Sequence, residues 1–270
     1  MESETVGAVL KVVVTVLVGV PLLVFFLQER LIFMPRPLSD AERQDIGAKF
    51  PKGKSVFAQA ADGTEVHAWH LPGPSGAPLV LYFGGNAEEV SWMLREAAAN
   101  APNVGWLLVD YRGYGGSGGS PSEEALAADA LLWYDRFAPQ AKRIIVLGRS
   151  LGSGVAVRLA AEREVDALIL VTPFDSMVEV CKRHYPWLPV NWLLKHRFDS
   201  ISRAPKITAS LLCIVAMRDS IIPPEHAKLL YDAWGGPKRW VPLDEAGHNT
   251  ADAHPNYWRS INAFLSERSS

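Results

Sequence analysis

Cysteine is scarce: Cys181 and Cys213 are the only two in 270 residues, too few for a disulfide framework, and nothing in their spacing obliges them to pair. No long basic run is present and the formal net charge is −2, which argues against nucleic acid as a partner. No internal repeat or low-complexity tract interrupts the chain, so solenoids and disordered tails are set aside. A second large domain has little room. With 49% hydrophobic and 21% charged residues, the composition suits one α/β unit with a full core and a short appendage.

That appendage is N-terminal. Charge is nearly absent from Val6 to Leu27, where Lys11 is the one formal charge, and residues 12–27 carry none. Such a run is long enough to span a bilayer if Lys11 snorkels, and Pro21 is tolerable in a membrane helix. A cleaved signal peptide is the rival expectation, but no A-x-A-like site follows, and Leu31, Ile32 and Phe33 extend the apolar surface. One N-terminal transmembrane helix is therefore expected as a retained anchor over residues 1–30, then a linker over 31–49 and the main domain over 50–270. Arg30, Arg36 and Arg43 follow the span while Glu2 and Glu4 precede it, a bias that places the domain in the cytoplasm. Lys11 pulls the other way.

Strand patterns fall at residues 55–59, 65–69, 78–83, 104–110, 144–147, 167–171, 211–215 and 239–242. Helical patterns fall at 87–100, 122–137, 151–163, 224–234 and 256–266. The first two strands flank Asp62-Gly63 and read as a hairpin; the rest alternate and imply a mostly parallel sheet covered on both faces. Residues 174–204 break the alternation. Tyr185, Trp187, Trp192, Leu193 and Leu194 crowd there with prolines, which suits a short lid or acyl-binding wall, with Trp187 and Trp192 as substrate-binding aromatics. Ordinary packing over the sheet is the plainer alternative.

The most informative five residues are Gly148, Arg149, Ser150, Leu151 and Gly152, a G-x-S-x-G between the apolar strand 144–147 and a small-residue helix. A serine on a sharp strand-to-helix turn is exposed for attack on a carbonyl carbon, and glycines flank it because a Cβ would collide there. Such a hydroxyl needs a base, and the base needs an acceptor that fixes its tautomer. His248, after the last strand, and Asp219, after the strand 211–215, complete the order Ser, Asp, His. Asp175, after the strand 167–171, competes for the acid's role. The oxyanion requires preplaced N–H donors; Leu151 supplies one, and Asn86, in the Gly84-Gly85-Asn86 turn after the third strand, the other. The loop Asp110 to Gly118 lacks the Lys-Ser/Thr ending of a P-loop and reads as structural, near the site rim.

The segments GGNA, DYRGYGGSGG, GRSLGSG, YPWLPVNWLLKHRFDS, RDSIIPPEHA and GHN, with LIFMPRP behind the apolar run, resemble the α/β-hydrolase superfamily over residues 50–268. Within it they are similar to a membrane-anchored branch that includes bud-emergence-type proteins and protein depalmitoylases. The resemblance implies an α/β-hydrolase fold, Ser150 as nucleophile, Asp219 as acid, His248 as base, and Leu151 and Asn86 as oxyanion donors. Gly84 is a departure, standing where many members carry histidine. The expected activity is membrane-tethered hydrolysis of carboxylic esters or thioesters of apolar acyl groups through an acyl-serine, needing no metal or cofactor. A serine peptidase and a non-catalytic membrane-bound binding protein on the same fold are the alternatives.

Overall fold

A computed structural model describes residues 5–7 and 15–268. The main domain is built on strands β1 (Lys54–Gln59), β2 (Glu65–Leu71), β3 (Leu79–Phe83), β4 (Gly105–Val109), β5 (Ile144–Arg149), β6 (Ala167–Val171), β7 (Ser210–Ala216) and β8 (Lys238–Leu243). They form one sheet in the order β1-β2-β4-β3-β5-β6-β7-β8. The pairs β1/β2 and β2/β4 are antiparallel, and every pairing from β4 to β8 is parallel. Each strand expected from the sequence is present, and the mostly parallel sheet is that of an α/β hydrolase.

Helices, in chain order, are α1 (Val20–Ile32), α2 (Asp40–Lys49), α3 (Trp92–Asn100), α4 (Glu123–Phe137), α5 (Leu151–Glu162), α6 (Met177–His184), α7 (Val190–Leu193), α8 (Pro224–Ala233) and α9 (Asn256–Ser266). The central strands are apolar on both faces because helices cover both. Alternation divides them: Leu81, Val146 and Leu168 join a core with Trp133 of α4 and Val155 of α5, while Val80, Ile145 and Ile169 join one with Met93 of α3 and Phe264 of α9. Their parallel direction brings the carboxyl ends of β3, β5, β6, β7 and β8 to one edge, where ligands of open α/β sheets bind.

The described residues do not show the expected N-terminal transmembrane helix. Among the described residues no helix is long and apolar enough to cross a membrane, and residues 8–14 of the expected span lie outside the described residues. A π-helical turn, Thr15–Gly19, precedes α1, and the far end of α1 docks on the domain. Gln28, buried, donates from Nε2 to the Leu193 carbonyl (3.1 Å) and accepts the Lys195 N–H (2.7 Å). A polar side chain in an apolar helix is satisfied here by protein backbone, where lipid offers no partner. Within residues 31–49, taken as linker, Asp40–Lys49 folds as α2, its start closed by a reciprocal Ser39–Glu42 capping box. The region 174–204 contains α6 and α7, with Ser176 capping α6 by accepting the Glu179 N–H.

Candidate active site

β5 ends in a turn that puts Ser150 at φ 51°, ψ −117°, outside the region L-residues favour, a conformation costing about 1–3 kcal/mol that the surroundings must hold. The Ser150 N–H donates to the Val171 carbonyl (2.9 Å), and its own carbonyl accepts from the Ser153 N–H (2.9 Å) and hydroxyl (2.6 Å). Close packing allows only glycine on either side. A Cβ on Gly148 would lie 2.4 Å from the Gly152 carbonyl oxygen, and one on Gly152 would lie 2.1 Å from that of Phe83.

The structure brings Ser150, His248 and Asp219 together from three loops at the sheet's carboxyl edge. His248 Nε2 is 2.8 Å from Ser150 Oγ, and His248 Nδ1 is 2.6 Å from Asp219 Oδ2. The other oxygen of Asp219 accepts the N–H groups of Ile221 (2.9 Å) and Ile222 (2.7 Å), which fixes the carboxylate plane. The loops are tied to each other: Arg218 N–H donates to the Ala246 carbonyl (2.9 Å), and the Arg218 and Glu245 side chains pair above them. Asp219 is buried and Ser150 only 9% exposed. Asp175, the rival carboxylate, is committed elsewhere, 2.8 Å from His226 Nδ1 and accepting its neighbour Ser176 N–H.

Leu151 opens α5, so its N–H has no intrahelical acceptor and points its dipole out of the helix start. The Gly84–Asn86 loop runs beside the serine: a Cβ on Gly85 would sit 3.6 Å from Ser150 Cβ. With the Gly85 N–H committed to Glu88 Oε2 (2.7 Å), the N–H of Asn86 is the next one left for an oxyanion. The Asn86 side chain faces the N-terminal segment instead, donating to the Ile32 carbonyl (2.5 Å) and accepting from Met34 N–H (2.9 Å) and Tyr114 hydroxyl (2.8 Å).

Sequence reasoning missed the residues that hold this loop. Glu88 gathers the Gly85 N–H, the Tyr82 hydroxyl (2.5 Å), the Trp92 indole N–H (3.1 Å) and Arg149 Nη1 (3.4 Å) on its two oxygens. Burial works against the Arg149 charge, yet Glu88 and its neighbours hold that guanidinium above its ordinary pKa. The same network explains Gly84, where a Cβ would lie 2.9 Å from Val90 and 3.1 Å from the Glu88 carboxyl carbon, leaving no place for histidine. Tyr111, from the loop after β4, donates to the Gly84 carbonyl (2.9 Å). A carboxylate four residues after Gly84 was the one signal available for Glu88.

Of the two expected aromatics, Trp187 lines an apolar cavity of about 520 Å³ between α1 and the α6–α7 region, whereas Trp192, 90% exposed, stands outside it. A second chain of the same residue types exists: Ser55 Oγ is 2.8 Å from His67 Nε2, and His67 Nδ1 is 2.6 Å from Asp110 Oδ2. Here the histidine is fully buried and the serine lies in strand β1, with no strained turn and no helix start beside it. Among the described residues no group of three or more His, Cys, Asp or Glu could hold a metal ion.

Known proteins resemble this chain in sequence and in fold. The serine hydrolase family model matches residues 132–267. An uncharacterised protein of Mycobacterium tuberculosis is 38% identical over 248 residues, covering 89% of this chain and 87% of that protein. Protein bem46 of Schizosaccharomyces pombe is 29% identical over 211 residues, covering 72% of this chain and 69% of its own. Among solved structures, the Pyrococcus furiosus esterase Pf2001 superposes with a TM-score of 0.64 at 21% identity, covering 88% of this chain and 99% of that one. At that identity the likeness carries the fold alone.

Proposed function

The chain belongs to the serine hydrolase family, and from that membership we propose that it hydrolyses esters or thioesters of apolar acyl groups at a membrane, through an acyl-serine. The observation that carries this reading is the unbroken hydrogen-bond relay from Asp219 through His248 to a serine at φ 51°. His248 takes the Ser150 proton as Oγ attacks the carbonyl carbon, and Asp219 steadies the imidazolium. The Leu151 and Asn86 N–H groups receive the oxyanion. Collapse breaks the bond to the leaving alkoxide or thiolate, which takes the proton from His248, and water then repeats the cycle on the acyl-serine.

Matched p-nitrophenyl ester and p-nitroanilide substrates of one acyl group test this. The ester should turn over, the amide far more slowly, and Ser150→Ala should lose at least about 10³-fold in kcat. Equal rates in wild type and variant overturn the assignment, and a faster amide makes the chain a peptidase.

The membrane part of the proposal is supported by the uncharged residues 12–27 and by the exposure of Leu17, Leu22, Leu23 and Phe26. The arginines after this run favour a cytoplasmic domain. The full chain should float with phospholipid vesicles in a density gradient, and a chain that stays at the bottom contradicts the tether.

A further inference from the structure

The cavity under α1 is not part of the catalytic relay, yet it is built against the oxyanion loop. Its walls are Val24, Leu31, Ile32 and Met34 on the N-terminal side and Leu188, Val190, Leu193 and Leu194, with Cys181 and Trp187, on the other. The lining is mostly apolar; its polar members are Tyr185 and Gln28, and the Gln28 polar atoms are turned onto backbone. Two wall residues reach the site directly: the Ile32 carbonyl and the Met34 N–H are both hydrogen-bonded to the Asn86 side chain, in the residue whose N–H is left for the oxyanion. At about 520 Å³ it falls within the roughly 300–1,000 Å³ of small-ligand sites.

We propose that this cavity takes the acyl chain of the substrate, that α1 is one of its walls, and that Gln28 is the positioning residue that holds the wall closed. The inference rests on the acyl-hydrolase reading and adds what sets chain-length preference. A linear hydrocarbon is the occupant that fits, because each methylene moved from water into such a lining is stabilised without asking for a hydrogen bond. The Asn86 side-chain bonds to Ile32 and Met34 tie this wall to the oxyanion loop, and the proposal sets the reacting carbonyl's end of the chain on that side. The Gln28 bonds to Leu193 and Lys195 close the far side, so that the N-terminal segment becomes part of the enzyme's specificity as well as its tether.

The test is a p-nitrophenyl ester series from acetyl to dodecanoyl, run on the full chain in mild detergent. Leu31→Trp and Val24→Trp put bulk into the cavity from a half-exposed helix, where folding tolerates it. The ratio of kcat/KM for the decanoyl ester to that for the acetyl ester should fall at least tenfold in both, while the control Leu229→Trp, at an exposed position of α8, keeps the wild-type ratio. Gln28→Ala should flatten the chain-length profile. If wild type and the two tryptophan variants share one ratio, the cavity is only packing between α1 and α7, and the inference fails while the hydrolase stands. If wild type turns over none of the esters, the functional reading fails first.

Discussion

Glu88 Oε2 lies 2.7 Å from the Gly85 N–H and 3.4 Å from Arg149 Nη1, so a single carboxylate links the residue before the nucleophile to the loop that faces it. Neither residue belongs to the Ser150–His248–Asp219 relay, yet together they brace the loop that carries Asn86. Glu88→Gln replaces an acceptor pair with an amide that cannot serve the Gly85 N–H, the tyrosine and the arginine alike. Its kcat should fall about 10–100-fold, less than the roughly 10²–10³ typical of losing an oxyanion donor outright, with KM little changed. Steady-state kinetics separate the two constants, and a rise in KM at constant kcat contradicts a positioning role.

The carboxylates after β6 and β7 differ in partner and should differ in consequence. Asp219→Asn leaves His248 in the wrong tautomer and should cost about 10⁴-fold in kcat. Asp175→Asn disturbs contacts with His226 and Ser176, outside the relay, and should lower thermal stability while retaining ester hydrolysis. Parallel assays of both variants, corrected for folded fraction, check this; comparable losses would contradict the assignment of Asp219.

Stability of the loop after β4 depends on a buried ion pair. Arg112 Nε and Nη2 meet both oxygens of Asp129 at 2.8 and 2.9 Å, and Asp62 joins from the hairpin. These carboxylates push the guanidinium pKa up, with Asp129 the largest cause. Arg112→Met strands the Asp129 charge in the interior and should cost about 3–5 kcal/mol, read as a shift in the urea midpoint. A shift below about 1 kcal/mol would show that Asp129 finds water or another donor.

Acid should loosen the N-terminal segment. His196 packs 5.1 Å from the Phe33 ring centroid and accepts the Glu123 N–H on Nδ1 at 3.2 Å, which requires that nitrogen unprotonated. Burial lowers its pKa from the ordinary 6.5, with Glu29 and Glu123 pulling upward and Lys195 downward. Because the folded value is the lower one, the unfolded chain binds the proton more readily. The contribution to stability is complete above about 6.5 and is lost as pH falls through the folded value. Between pH 8 and 5 the wild-type Tm should drop further than that of His196→Gln; parallel curves would contradict the role.

Much of this was legible because parallel strands buried on both faces write themselves as short apolar runs, of which Ile144 to Leu147 is one. The order Ser150, Asp219, His248 and the two glycine-flanked turns followed from the same pattern. What stayed hidden was carried by contacts distant in sequence. Glu88 and Arg149 are 61 positions apart, and nothing local marks their pairing. Nothing local marks Gln28 either, since its acceptor and donor at Leu193 and Lys195 lie across the chain. Residues 40–49 fell within the span taken as linker, where α2 is started by its Ser39–Glu42 cap and packs Ile46 against the core. Trp192 was grouped with Trp187 by proximity in sequence, but only Trp187 lines the cavity while Trp192 stands exposed.

The presence of two Ser–His–Asp chains makes the nucleophile's identity the sharpest test. The full chain should be treated with a fluorophosphonate, digested, and the adduct located by mass spectrometry. A single adduct on the peptide containing Ser150, abolished in Ser150→Ala and retained in Ser55→Ala, is the expected result. An adduct on Ser55, or none on a folded wild-type chain, would contradict the account.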